Sequence, residues 1–241
     1  MSVPPTPAAL EANLRAVRGR IARAAARAGR SAGGIRLVAV SKTFPLAAVE
    51  AAARAGLADF GENRVQEAAG KIDESAGLPV RWHLIGHLQS NKARQAAGRF
   101  HWIHSVDSAK LLARLDRAAD DAGTAPRLLV QVDLAGEAAK HGAPLDSVRR
   151  ILDAAAATRA ARVRGLMLMP PWNEDPEATR PFFRRLRELR DTLRAEGADD
   201  EALAELSMGM SHDFEVAIQE GATMVRVGTA LFGRRSPQAA T

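Results

Sequence analysis

The feature that most restricts the fold of this chain is an eightfold alternation of short apolar runs with helical patterns. Each run has four to seven residues, and the first is apolar on both faces, as in a parallel strand covered on two sides. A segment with helical spacing follows each run, and the one after the second run is predicted to be a helix over residues 62–69. The predicted strands cover residues 35–41, 58–61, 80–85, 102–106, 127–132, 163–168, 205–209 and 223–227.

Eight strands that alternate with helices in about 240 residues, without a break in composition, predict one α/β domain folded as a (β/α)8 TIM barrel. The alternative is an open doubly wound sheet. Such sheets usually have fewer strands and carry a glycine-rich turn after the first strand. This chain has Ser41 and Lys42 at that position, which favours the barrel.

An extra helix is predicted before the first strand, over residues 7–29. Its apolar stripe consists of Leu10, Leu14, Val17 and Ile21. The predicted domain spans residues 1–241, and its two ends, residues 1–6 and 235–241, are expected to fray.

Lys42 follows the first predicted strand directly, and Pro45 begins the next helix. A lysine at the carboxyl end of a buried strand is partly desolvated, which lowers its pKa and favours the neutral, nucleophilic amine. This position suits a lysine that forms a Schiff base. The alternative is a structural lysine whose ammonium reaches solvent along its apolar stem.

Polar residues stand at or just past seven of the predicted strand ends. In a barrel of this type the carboxyl ends of the strands form the active face, so these side chains are expected to converge on one mouth. They are Lys42, Asn63, His83, Ser105, Asp133, Ser211 and Arg226.

The loops after the seventh and eighth strands predict a phosphate site, as they do in many such barrels. Glycines there allow an anion to approach the backbone, and helix amino ends offer free N–H groups. Ser211 and Thr229 add hydroxyl donors, next to Gly228. Ser211 is also a candidate N-cap for the helix predicted at residues 214–220.

Composition excludes several other classes of function. The net charge of +6 raises nucleic acid as a partner, but the arginines are spread along helices, and seven Phe, three Trp and no Tyr leave little surface for base stacking. A chain without cysteine has no disulfide or thiolate metal site. No apolar run approaches the roughly 18 residues of a membrane span, and no signal peptide is evident. We therefore expect a cytoplasmic protein that binds neither nucleic acid nor membrane.

Seven motifs, in the same order along the chain, resemble those of the pyridoxal phosphate homeostasis protein family. They cover residues 37–43, 60–66, 83–92, 103–107, 165–169, 206–211 and 225–233. That family is a single barrel, similar to the N-terminal domain of alanine racemase, and binds pyridoxal 5′-phosphate. The resemblance implies that Lys42 carries this cofactor as a Schiff base.

The resemblance also implies roles for the other site residues. Ser211, Gly228 and Thr229 would hold the phosphate, and Arg226 would face the pyridine nitrogen. Asn63 and His83 would line the cofactor. No metal site is implied.

Three features depart from the usual family pattern. Asp133 stands where the family usually has asparagine, residues 138–142 form an unusual version of the next loop, and His212 occupies a variable position. These differences lie outside the cofactor residues implied by the resemblance.

The cofactor chemistry distinguishes a carrier from an enzyme. Pyridoxal enzymes that form carbanions benefit from a protonated pyridine nitrogen, usually held by a carboxylate. Arg226 has donors only and stays charged, so it would keep that nitrogen unprotonated. Alanine racemase tolerates an arginine there but uses a tyrosine and a second domain, whereas this sequence has no tyrosine and ends just after the barrel.

We therefore expect a monomeric protein that binds pyridoxal 5′-phosphate and stores or delivers it without turnover, with apoenzymes that need the cofactor as candidate recipients. The alternative is an enzyme of the amino-acid racemase or aldolase type that uses the lysine as base or nucleophile.

Overall fold

The computed structural model describes residues 2–136 and 141–233, and its eight parallel strands close into a barrel. The strands are β1 (Arg36–Val40), β2 (Asp59–Glu62), β3 (Arg81–Leu84), β4 (Trp102–Val106), β5 (Arg127–Gln131), β6 (Arg162–Met167), β7 (Glu205–Met210) and β8 (Met224–Val227). Strand β1 pairs with both β2 and β8, which closes the sheet and confirms the predicted barrel over the open alternative. Every strand begins and ends within one residue of its predicted bounds.

Helices alternate with the strands over the described part of the chain. They are α1 (Pro7–Arg27), α2 (Leu46–Arg54), α3 (Val65–Glu74), α4 (Ala93–Ala97), α5 (Ala109–Ala122), α6 (Leu145–Ala155), α7 (Arg180–Ala195), α8 (Phe214–Gln219) and α9 (Thr229–Phe232). The predicted helix over residues 62–69 begins later than expected, because Glu62 remains in β2 and pairs with Leu84 of β3. Arg64, the N-cap of α3, still has extended backbone angles.

Helix α1 is the predicted addition to the barrel, and it buries the predicted stripe of Leu10, Leu14, Val17 and Ile21. It packs against α2, α8 and α9 and so belongs to the outer layer of helices. Thr6 caps it by accepting a hydrogen bond from the backbone N–H of Ala9.

Within the N-terminal segment that is expected to fray, Ser2 makes hydrogen bonds to the loop after β1, and residue 1 lies outside the described residues. Ser2 is buried, and its backbone N–H donates to the carbonyl oxygen of Thr43 at 3.0 Å. Its hydroxyl lies 3.2 Å from Thr43 Oγ1. The predicted frayed tail at residues 235–241 lies outside the described residues.

Two apolar clusters stabilise the barrel. The larger lies between the strands and the surrounding helices. The smaller fills the lumen and consists of Trp102, Leu129, Met167 and Met224, which come from four different strands. The lumen is therefore packed and leaves the carboxyl ends of the strands as the place for a site. Among the described residues, no helix has the length and apolarity needed to span a membrane.

Candidate functional site

A cavity of about 550 Å³ lies at the carboxyl ends of the strands. This volume is in the range of small-molecule sites. Six of the seven predicted cofactor-binding residues line it: Lys42, Asn63, Ser211, Arg226, Gly228 and Thr229. The structure therefore brings together side chains from the ends of β1, β2, β7 and β8.

A second cavity of about 730 Å³ lies at the opposite end of the barrel, where Arg36, Asp59 and Arg81 line it. It is larger, but residues at the amino ends of barrel strands usually serve stability, whereas active sites form at the carboxyl ends. We place the functional site in the cavity that contains Lys42.

The backbone on both sides of Lys42 is fixed by hydrogen bonds. Lys71 Nζ donates to the carbonyl oxygen of Ser41 at 3.1 Å, and the N–H of Thr43 donates to Glu67 Oε1 at 2.8 Å. Thr43 has a φ of 70°, in the left-handed region that costs a side-chain-bearing residue about 1 to 3 kcal/mol. Its carbonyl oxygen accepts from Ser2. Because its neighbours are held in this way, Lys42 emerges into the cavity from a defined backbone.

A buried ion pair contacts Ser41, the residue immediately before Lys42. Glu62 Oε1 accepts hydrogen bonds from Lys71 Nζ at 2.9 Å and from the Ser41 hydroxyl at 2.7 Å. Glu62 is fully buried, and its second oxygen has no hydrogen-bond partner among the described residues. Burial raises the pKa of Glu62, and the nearby Lys71 ammonium opposes that rise. This pair was not predicted from the sequence, although a glutamate at the end of a buried strand was a usable signal.

Arg226 extends into the cavity from the last strand while only 2% of its surface is exposed. Its Nη1 donates to Ser207 Oγ at 2.6 Å and its Nη2 to the carbonyl oxygen of Leu168 at 2.8 Å. Burial lowers the pKa of Arg226 to about 10, and the Asp213 carboxylate partly opposes this effect. The guanidinium therefore remains charged near neutral pH and has donors alone.

The loops after β7 and β8 meet at Ser211. Its Oγ accepts hydrogen bonds from the N–H groups of Gly228 at 3.1 Å and Ala230 at 3.4 Å, at the amino end of α9. The prediction that Ser211 caps the helix at residues 214–220 was wrong, because Asp213 is the N-cap of α8. A hydroxyl oxygen that accepts two N–H bonds can still donate its proton toward the cavity.

Glycine is required at one edge of the cavity. A Cβ on Gly86 would lie 2.2 Å from the carbonyl oxygen of Asn63, which is closer than any real contact. Only glycine allows the end of β3 to approach the end of β2 so closely. Asn63 is thereby held at the cavity wall.

His83 does not line the cavity, so that prediction was wrong. It lies fully buried in the barrel interior, with Nε2 2.9 Å from Asp59 Oδ1 and Nδ1 3.0 Å from His104 Nε2. Two other strand-end residues also point elsewhere. Ser105 is buried outside the cavity lining, and Asp133 Oδ1 accepts from the N–H groups of the two residues at 135 and 136. Nearness to a strand end did not by itself predict which side chains reach the cavity, because successive side chains along a strand face opposite sides.

The mouth of the cavity contains residues that were not predicted from the sequence. The rings of His87 and His141 stack with centroids 3.5 Å apart, and the His141 carbonyl oxygen accepts from Gln131 Nε2. Trp172 is 76% exposed and stacks on His212 with centroids 6.4 Å apart. An aromatic residue in the Pro-rich loop after β6 was the available signal for Trp172. Residues 138–140 of the neighbouring loop lie outside the described residues.

The described residues that line the cavity include Lys42 and Arg226 but no aspartate or glutamate. Ser211 follows β7, and Gly228 follows β8, the strand that contains Arg226. All three residues therefore come from two neighbouring strand ends. This set of donors and cations suits an anionic ligand. It fits a phosphate ester that also has a carbonyl group for Lys42 and a ring acceptor for Arg226.

Comparisons with known proteins show which family the chain resembles. The family model of the alanine racemase N-terminal domain matches residues 8–236. A pyridoxal phosphate homeostasis protein of Pseudomonas aeruginosa is 47% identical over 92% of this chain and 94% of its own length. One from Aquifex aeolicus is 43% identical over 90% of this chain and 94% of its own. The structure of PipY from Synechococcus elongatus with PLP bound is similar with a TM-score of 0.82 and 41% identity, covering 93% of this chain and all of PipY.

Proposed function

The chain belongs to the pyridoxal phosphate homeostasis protein family, and we propose that it holds pyridoxal 5′-phosphate in the cavity around Lys42 and stores or delivers it. Residues of this chain would hold the cofactor at three points. Lys42 would form the covalent link through Nζ. Ser211, Gly228 and Thr229 would bind the phosphate, and Arg226 would face the ring nitrogen.

One observation carries the proposal: Lys42 and Arg226 share a cavity whose described lining is free of carboxylates. A dianionic phosphate is favoured by this charge distribution, and Ser211, held by the N–H groups at the amino end of α9, adds a hydroxyl donor. Asn63, which the close approach of Gly86 places at the cavity wall, would line the cofactor.

The same lining supports a carrier over an enzyme. The cofactor supplies an electron sink for amino-acid chemistry when its ring nitrogen is protonated. Arg226 is fixed by Ser207 and Leu168, has donors only, and disfavours a proton at that nitrogen. The protein would therefore bind and shield the cofactor while leaving its reactivity low. Apoenzymes that require pyridoxal 5′-phosphate are the proposed recipients.

A titration of the apoprotein with pyridoxal 5′-phosphate, followed by absorbance, tests the proposal. We expect saturable binding of one equivalent by the wild type and its loss in Lys42→Ala. His212→Ala, at the rim, is the matched control and should bind nearly as well. Absence of saturable binding by the wild type would refute the proposed function.

A second measurement separates the carrier from the racemase-type alternative. The loaded protein is incubated with alanine, and formation of the opposite enantiomer is followed over many equivalents of protein. The carrier proposal predicts no sustained turnover. Conversion at enzyme-like rates, typically above about 1 per second, would establish the alternative.

A further inference from the structure

An unbroken series of hydrogen bonds runs through the barrel lumen from the cofactor cavity toward the opposite end. Arg226 Nη1 donates to Ser207 Oγ at 2.6 Å, and Ser207 Oγ lies 2.9 Å from His104 Nδ1. His104 Nε2 lies 3.0 Å from His83 Nδ1, and His83 Nε2 lies 2.9 Å from Asp59 Oδ1. All five residues are buried.

The far end of the series is anchored by charge. Arg81 donates to both oxygens of Asp59, through Nε at 2.8 Å and Nη2 at 2.7 Å, and Arg36 Nη1 lies 3.4 Å from Oδ1. Burial alone would raise the pKa of Asp59, but hydrogen bonds from Arg81 and His83 outweigh burial and lower it. Asp59 is therefore a carboxylate, which only accepts hydrogen bonds.

When both histidine rings are neutral, the two ends together permit one arrangement of protons. Because Asp59 only accepts, His83 must donate from Nε2, which leaves His83 Nδ1 as an acceptor for His104 Nε2–H. His104 Nδ1 then accepts from the Ser207 hydroxyl, whose oxygen accepts from the donor-only Arg226. Burial lowers the pKa of His83 to about 4 and that of His104 well below its ordinary value, so both rings are neutral at pH 7.

From this geometry we infer that Ser207, His104, His83 and Asp59 form a positioning relay that sets the orientation of the Arg226 guanidinium in the cofactor cavity. Each hydrogen bond of the series has the one direction that its neighbours allow, so loss of any member leaves a buried donor or acceptor unpaired. Arg226 would then lose the defined direction in which its remaining N–H groups face the ligand. What Arg226 faces rests on the proposed function, whereas the relay itself does not.

Nitrogen-15 NMR of the histidine side chains in the cofactor-free protein tests the relay directly. We expect His83 and His104 to be neutral Nε2–H tautomers that do not titrate between pH 7 and pH 5. This measurement on the wild type requires no variant to fold. Detection of a charged ring or an Nδ1–H tautomer at either position would overturn the inference.

Ser207→Ala and Ser105→Ala form a matched pair of variants. Both serines are buried on barrel strands, but Ser105 Oγ has no hydrogen-bond partner among the described residues. Ser207→Ala should remove the donor to His104 Nδ1 and shift the nitrogen-15 resonance of that atom, while the Asp59 end keeps the Nε2–H tautomer. It should also weaken binding of pyridoxal 5′-phosphate by about tenfold, as expected for one lost buried hydrogen bond. Ser105→Ala should leave that resonance unchanged and the affinity within about twofold of the wild type.

Equal effects of the two substitutions on the His104 Nδ1 resonance and on the affinity would contradict a positioning role for Ser207. The two kinds of data also separate the proposals. If the wild type shows the expected tautomers but does not bind pyridoxal 5′-phosphate, the relay stands and the proposed function fails. If it binds the cofactor with other tautomers, the relay fails and the proposed function stands.

Discussion

The ammonium of Lys71 lies 3.1 Å from the carbonyl oxygen of Ser41, the residue immediately before Lys42. The same ammonium forms an ion pair at 2.9 Å with the buried Glu62. A single side chain therefore neutralises a buried carboxylate and fixes the peptide from which Lys42 extends. Stability and the placement of Lys42 are coupled through this contact.

Replacing Lys71 should reveal that coupling. Lys71→Met leaves Glu62 buried without its cation, and breaking a buried pair in this way typically costs about 3 to 5 kcal/mol. We expect lower stability in urea unfolding and weaker binding of pyridoxal 5′-phosphate. Lys110→Met, at an exposed position of α5, is the matched control. Equal stability of the two variants would show that the Glu62 pair contributes little.

If the loops after β7 and β8 hold the phosphate, Ser211→Ala should weaken binding of the phosphate ester selectively. This substitution removes one hydroxyl donor and the acceptor that links Gly228 and Ala230, so binding of pyridoxal 5′-phosphate should weaken by about 1 to 2 kcal/mol. Thr229→Ala should behave similarly. Non-phosphorylated pyridoxal should bind far more weakly than the phosphate ester and should be insensitive to either change. Equal affinity of the wild type for the two ligands, measured by competitive titration, would remove these loops as the anchor.

Reversing the charge of the side chain at position 226 should change the reactivity of the bound cofactor. Arg226→Glu supplies an acceptor that can hold a proton at that nitrogen, and slow exchange of the α-proton of alanine in deuterated water should appear. Arg226→Gln, also shorter than arginine but neutral, should show much less exchange. The measurement is proton NMR of alanine with the loaded proteins.

Two results would contradict this role of Arg226. Exchange by the wild type at enzyme-like rates would show that the arginine does not keep the cofactor inert. A folded Arg226→Glu variant with an unchanged cofactor absorption spectrum would place the side chain away from the ring.

The buried His83 predicts a loss of stability in mild acid. Burial lowers its pKa to about 4, against about 6.5 in an unfolded chain, and the groups that face it are Asp59, His104, Arg36 and Arg81. Between these pH values the unfolded chain binds a proton that the folded one does not. The free energy of unfolding should therefore fall as the pH decreases from about 6.5 to about 4, by up to about 1.4 kcal/mol per pH unit for this group.

Urea unfolding at several pH values measures this slope. His83→Gln, compared with the wild type, should show a smaller dependence on pH across that window. His212→Gln, which changes an exposed histidine at the cavity rim, should retain the wild-type slope. An unchanged slope in His83→Gln would show that the buried ring does not carry the effect.

The barrel and most of the cavity could be predicted from the sequence for a clear physical reason. Buried parallel strands are continuous apolar runs, and the carboxyl ends of such strands must meet, so the order of residues alone groups Lys42, Ser211 and Arg226 at one end of the barrel. The phosphate site at the loops around Gly228 stays a prediction, which rests on the use of glycine and hydroxyl residues by anion sites at helix amino ends.

The errors came from features that a linear pattern does not encode. His83 was assigned to the cavity because it stands near a strand end, but the direction of its side chain depends on strand register and on the partners Asp59 and His104. Glu62 was expected to begin a helix and instead ends a strand. Residues such as Trp172, which reach the mouth from a loop after β6, became visible only in the folded chain.

The central claim is that Lys42 holds pyridoxal 5′-phosphate covalently, and borohydride trapping tests it most directly. Reduction of the loaded protein fixes an imine as a stable secondary amine, and peptide mass spectrometry then locates the modified residue. We predict that the label lies on the peptide containing Lys42 and is absent from the Lys42→Ala variant. Labelling of Lys71, Lys92 or Lys110 in place of Lys42, or no covalent label in the wild type, would contradict this claim.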